Sequence, residues 1–139
     1  MQTTLEMQKS HSLVLVSLLL SLAAPVIAEL PPPWFLVAAD QEGNQTFLNM
    51  QQITHKEGIV TYMELDKFGV VNASGIASIM SINTGSCLYN LSRVETAIAH
   101  DRNENQVLVL SRSDVWKTQK PGTVGYAILQ MACEVQPLR

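Results

Sequence analysis

The sequence predicts an α+β domain, an antiparallel sheet of about six strands with a C-terminal helix packed on one face and tied there by a disulfide. Three observations carry this. After Gly58 the chain alternates strictly, with Ile59, Thr61, Met63 and Leu65 on one face and Val60, Tyr62, Glu64 and Asp66 on the other, the period of a strand. The connections between apolar segments are short and polar, which joins antiparallel neighbours. Near the C-terminus the period changes, because Val124, Ala127, Ile128, Met131, Ala132 and Val135 recur at helical spacing.

Taken in order, residues 1–28 form a signal peptide. Lys9 and His11 precede the uncharged run Leu13 to Leu22, and Val26 and Ala28 supply small residues for cleavage before Glu29. Translation can begin at Met1 or Met7. The other reading, an uncleaved membrane anchor, needs about 20 apolar residues, and this run is shorter. No stable membrane anchor then remains after cleavage. Residues 29–33, with three prolines, form a polyproline spacer, and the domain occupies 34–135. The run Trp34 to Ala39 reads as a strand buried on both faces, and Gln45 to Met50 as a second. Asn72 to Gly75 is turn chemistry, and Ile76 to Ile82 is a strand ending at the turn-like Asn83-Thr84-Gly85. Arg93 to His100 and Gln106 to Arg112 form a hairpin around the five polar residues 101–105. Thr123, after Pro121-Gly122, is placed to cap the helix, which Gly125 weakens modestly.

Composition excludes several classes. Of 139 residues 47% are hydrophobic and 15% charged, with mean hydropathy +0.13, which excludes intrinsic disorder. Signal removal takes away Glu6 and Lys9, one acid and one base, so the net charge of −3 is unchanged. Dispersed bases in an acidic chain do not form a nucleic-acid surface. Cys87 and Cys133 survive processing, and an exported chain with two cysteines favours their pairing; two free thiols are the alternative.

No catalytic, metal or cofactor constellation is readable. His55 and His100 have no ligand partners at zinc spacing, and Ser86 beside Cys87 has no local base. Glu64 and Asp66 share a strand face, as an acid–base pair would, but a solvated strand face is the more ordinary reading. The G-x-x-G string from Gly122 to Gly125 is read as helix capping rather than a nucleic-acid loop. Three sequons, at Asn44, Asn72 and Asn90, matter only in a eukaryotic host. The segment Arg112 to Lys120 places Trp116 among Arg112, Lys117 and Lys120, a composition able to anchor a protein partner; in the alternative Trp116 packs over the helix start.

The order Cys87, Arg93-Val94, the strand Val107 to Leu110, Trp116, Pro121-Gly122-Thr123 and Cys133 resembles the surface-adhesin protein E family of bacterial secreted domains. Trp34, the Asp40…Gly43…Phe47 pattern and Gly58-Ile59-Val60 extend the resemblance over residues 34–134. Tyr62 stands where members carry Trp, and no lipobox cysteine follows the apolar run. The resemblance implies a sheet of about six strands with a disulfide-held helix, and a non-enzymatic protein of the periplasm or cell surface that binds host extracellular-matrix proteins. Two other classes remain beside it: a periplasmic accessory or small-ligand binder with its pocket between helix and sheet, and a hydrolase using Glu64 and Asp66. Mass spectrometry of the exported protein should find Glu29 at its N-terminus; retention of Leu13 to Leu22 contradicts the assignment.

Overall fold

The computed structural model describes residues 30–135. The signal segment 1–28, the bond before Glu29 and both start positions lie outside the described residues. The strands are β1 (Trp34–Ala39), β2 (Gln45–Asn49), β3 (Thr54–Lys56), β4 (Ile59–Lys67), β5 (Ser78–Ser86), β6 (Leu91–His100), β7 (Gln106–Leu110) and β8 (Lys117–Thr118), followed by the helix α1 (Val124–Glu134). They form one antiparallel sheet in the order β1-β2-β4-β5-β6-β7, with β3 beside the start of β4 and β8 beside the start of β6. The expected meander is present. The sheet has eight strands rather than six because β3 and β8 span only three and two residues, too short for an alternation to be visible. Among the described residues the fold is mostly sheet with one helix, so α+β describes it only loosely.

One end of the sheet is closed by side-chain-bonded turns. In the β1–β2 turn, the Asp40 carboxylate accepts the backbone N–H groups of Glu42 and Asn44 and the Asn44 side-chain amide. Asp101 does the same for Asn103 and Asn105 between β6 and β7, and Asn72 accepts from Ser74 and Ile76 between β4 and β5. Short polar side chains here replace backbone partners that a tight reversal cannot supply. Of the three sequon residues, Asn72 accepts backbone N–H groups in its own turn, Asn44 donates its amide to Asp40 and accepts from the Gly69 N–H, and Asn90 accepts from the Gln130 amide on the helix.

Two expectations fail at particular strands. β1 is not buried on both faces: it is the sheet's edge, has a bulge between Leu36 and Ala38, and leaves Phe35 49% exposed. An apolar run cannot by itself report how many neighbours a strand has. Asn83-Thr84-Gly85 is not a turn, since β5 continues through all three to Ser86 and the reversal falls at 87–90. The reason lies on the helix: a Cβ on Gly85 would sit 2.3 Å from Leu129 Cδ1 and 3.3 Å from Val60 Cγ1. Residue 85 is glycine so that α1 can lie directly on the strand.

Thr123 caps α1 as expected, its Oγ1 accepting from the Tyr126 N–H at 3.2 Å. Of the expected helix face, Ile128 and Ala132 are buried and Met131 and Val135 pack against the core, whereas Val124 is 44% exposed and Leu129 is buried beside them. Ile128, Leu129 and Ala132 make the core together with Leu48, Ile53, Val60 and Tyr62. Cys133 near the helix end is bonded to Cys87 in the β5–β6 turn, with a Cα separation of 5.8 Å, so the disulfide ties helix to sheet as expected. Pro31 to Pro33 lead into β1 through a turn whose Pro32–Pro33 bond is cis, and the Pro33 carbonyl accepts from Met50. Among the described residues no helix is long and apolar enough to cross a membrane.

Because Leu129 is fully buried and cannot swing aside, Gly85→Ala should destabilise the domain by about 1–3 kcal/mol in equilibrium denaturation. An unchanged midpoint would show that the helix is not seated on this strand.

Candidate functional site

The face of β4 that carries Val60, Tyr62, Glu64 and Asp66 is covered unevenly. Val60 and Tyr62 lie under α1, whereas Glu64 and Asp66 continue beyond it into a cavity of about 520 Å³. Its floor is polar, formed with Ser81 and Asn83 of β5, and Ile79, Val94, Ala97 and Leu110 supply apolar walls. The 111–119 segment makes the remaining side. It runs along β6, where the Ser113 N–H donates to the Val94 carbonyl at 2.9 Å and Lys117 pairs with Ser92. Gln119 is held by a gap in the helix: a Cβ on Gly125 would lie 2.2 Å from Gln119 Oε1, and the Gln119 amide donates to Ser92 Oγ at 2.7 Å. Gly125, read from sequence as a weakness in the helix, is what admits this side chain.

The two carboxyls were expected on a solvated face, and the structure corrects this. Glu64 and Asp66 are partly buried and hydrogen-bonded to one another. Thr46 donates to Asp66 Oδ1 at 2.6 Å, and Asn83 Nδ2 donates to Glu64 Oε2 at 3.2 Å and to Ser81 Oγ at 2.9 Å. Burial, then the neighbouring Asp66 charge, pushes the Glu64 carboxyl up to about 8. Burial also raises Asp66, opposed by its bonds from Thr46 and Glu64. The pair therefore shares one proton, which Glu64 carries and donates, and has one negative charge near neutral pH. Tyr62, buried and beside Glu64, has its hydroxyl pushed up as well and stays neutral, bonded to Ser92. Carboxyls in direct contact cannot flank a glycosidic bond, which needs a separation of at least about 5 Å.

The residues expected to anchor a partner are only partly brought together. Trp116 is half-buried under Arg93, whose guanidinium carbon lies 4.6 Å from the ring centroid. Arg93 Nε is 2.9 Å from Glu95 Oε1, and Arg112 Nε is 3.3 Å from Glu95 Oε2. Glu95, held below the usual carboxylate range by Thr84 and then by these two arginines, offsets their charge. Lys117 stands exposed on the cavity rim and Lys120 is exposed before the helix. Arg93 and Glu95 were missed because they meet through a bulge in β6, where Ile82 faces Thr96 but Asn83 faces Val94. Asn83 and Ser81 were missed because Asn83 was read as turn chemistry. His55 is exposed on β3, and Ser86 Oγ only accepts from the Tyr89 N–H. Among the described residues no group of three His, Cys, Asp or Glu could hold a metal ion.

A carboxyl that holds its proton more tightly when folded stabilises the fold fully below its ordinary value of 4.5, and this contribution is lost as pH rises towards about 8. Glu64→Gln keeps a donor for Asp66 and an acceptor for Asn83 without ionising. Its melting midpoint should match the parent's near pH 4.5 and exceed it by at least about 4 °C near pH 8, the shift that ~1 kcal/mol produces in a domain of this size. A gap that does not change with pH contradicts the shared proton.

Compared with known proteins, this chain has no match among family models, curated proteins or solved structures.

Proposed function

We propose that this chain is an exported, non-enzymatic binding protein that holds a small ligand in the cavity between α1, the 111–119 segment and the sheet. The observation that carries this reading is the cavity itself: about 520 Å³, apolar walls, and convergent polar groups on its floor. Small-molecule sites are typically concave, about 300–1,000 Å³, and built in this way. Export is supported by the apolar run Leu13 to Leu22 with its small-residue cleavage positions, and by the Cys87–Cys133 bond, which belongs to oxidising compartments.

A second reading takes the surface-adhesin protein E resemblance at its word, with an extracellular-matrix protein as partner. The half-exposed Trp116 stacked with Arg93 and flanked by Arg112 favours it, because Trp and Arg dominate interface energetics. One pair of measurements separates the two. Amide NMR of the processed protein against a panel of small polar and amphiphilic compounds should give saturable shifts at Glu64, Ser81, Asn83 and Ala97. Silence at those positions, with Trp116→Ala lowering retention on laminin or vitronectin by about 30-fold (~2 kcal/mol) without unfolding, would transfer the function to the Trp116 surface.

A further inference from the structure

We infer that the cavity selects an organic amine with an apolar body, its ammonium group seated on Glu64 and Asp66. This rests on the cavity being a ligand site and names what the site takes.

Three observations converge. The charge at the cavity floor has no counter-ion: the ion pairs among the described residues are Arg93–Glu95 and Arg112–Glu95, and neither involves Glu64 or Asp66. An enclosed carboxylate without a cation is costly, and here a shared proton takes the cation's place. The carboxyls are held by neutral donors from the neighbouring strands. Thr46 and Asn83 each bond one carboxyl oxygen, which fixes both groups while leaving their charge uncompensated. An ammonium group brings three N–H donors and the missing positive charge, and charge-assisted bonds of this kind are about twice as strong as neutral ones. Finally, the walls beside the pair are hydrocarbon, from Ile79, Val94, Ala97 and Leu110, so the rest of the ligand is apolar.

The cations nearby do not oppose this. Arg93 is engaged by Glu95 and Trp116, and Lys117 lies exposed at the rim, where water screens it. An anionic ligand would instead meet the negative pair, and a neutral one would leave it without a cation. Seating the ammonium displaces the shared proton: the Glu64 O–H bond breaks, the proton passes to the buffer, and both carboxylates remain to accept from the ammonium group. Each bound amine should therefore release up to one proton.

Titration calorimetry of the processed protein near pH 7, in two buffers of different ionisation heat, with amide NMR in parallel, tests this. The probes are phenethylammonium, 2-phenylethanol and 3-phenylpropionate. Phenethylammonium should bind at least about tenfold more tightly than 2-phenylethanol, shift the amides of Glu64, Asp66 and Ala97, and release a proton. The isosteric double substitution Glu64→Gln with Asp66→Asn should remove that preference and the proton release. Glu64→Gln alone should abolish proton release while Asp66 still draws the cation, which keeps the test open if the double variant does not fold. Tighter or equal binding of the alcohol or the carboxylate at the same amides overturns the amine assignment and leaves the cavity reading standing. Cavity amides silent to all three probes remove both, and amine binding without proton release overturns the seat on the carboxyl pair.

Discussion

The close approach of Leu129 to the strand at Gly85 governs the architecture of this domain. A strand residue with any side chain would hold the helix off the sheet, and Ile128, Leu129 and Ala132 would lose their contacts with Leu48, Val60 and Tyr62. The Cys87–Cys133 bond lies at the same end and closes a segment spanning 46 positions. In the chain-entropy account such a loop is worth about 4 kcal/mol, a large part of a small domain's stability. Core packing and covalent tie therefore act at one place. The helix has eleven residues, about 16 Å, so anchoring it there leaves the rest of the sheet face uncovered.

What the helix leaves open becomes the cavity. Glu64 and Asp66 follow Val60 and Tyr62 on the same strand face, and a solvated carboxyl pair would be unremarkable at the outer end of a strand. Here the 111–119 segment folds back along β6 and encloses them, so that desolvation holds a proton on the pair. Gln119, Ser92 and Tyr62 join that segment to the core through hydrogen bonds, with Gly125 providing the space. Helix seat and cavity wall thus depend on two glycines whose missing side chains are filled by Leu129 and Gln119.

The opposite end of the sheet is built on another principle. Asp40, Asn72 and Asp101 each accept two backbone N–H groups in their own turns, which makes the reversals local and independent of the core.

Much of this was legible in the residues alone. The alternation from Ile59 to Asp66, the polar turns, the Thr123 cap and the single possible cysteine pairing are local or combinatorial signals, and the chain realises them. The signal segment expected over residues 1–28 lies outside the described residues. Tertiary structure decided what depends on a neighbour. Period two places Glu64 and Asp66 on one face but does not say whether that face meets water, because enclosure is supplied by residues about 50 positions later. Asn83-Thr84-Gly85 has turn composition, yet it is strand because a glycine that frees a turn and a glycine that admits a helix look identical in one dimension. Arg93, Glu95 and Trp116 meet only through a bulge, which shifts the β6 register by one residue and leaves no trace in hydrophobic pattern.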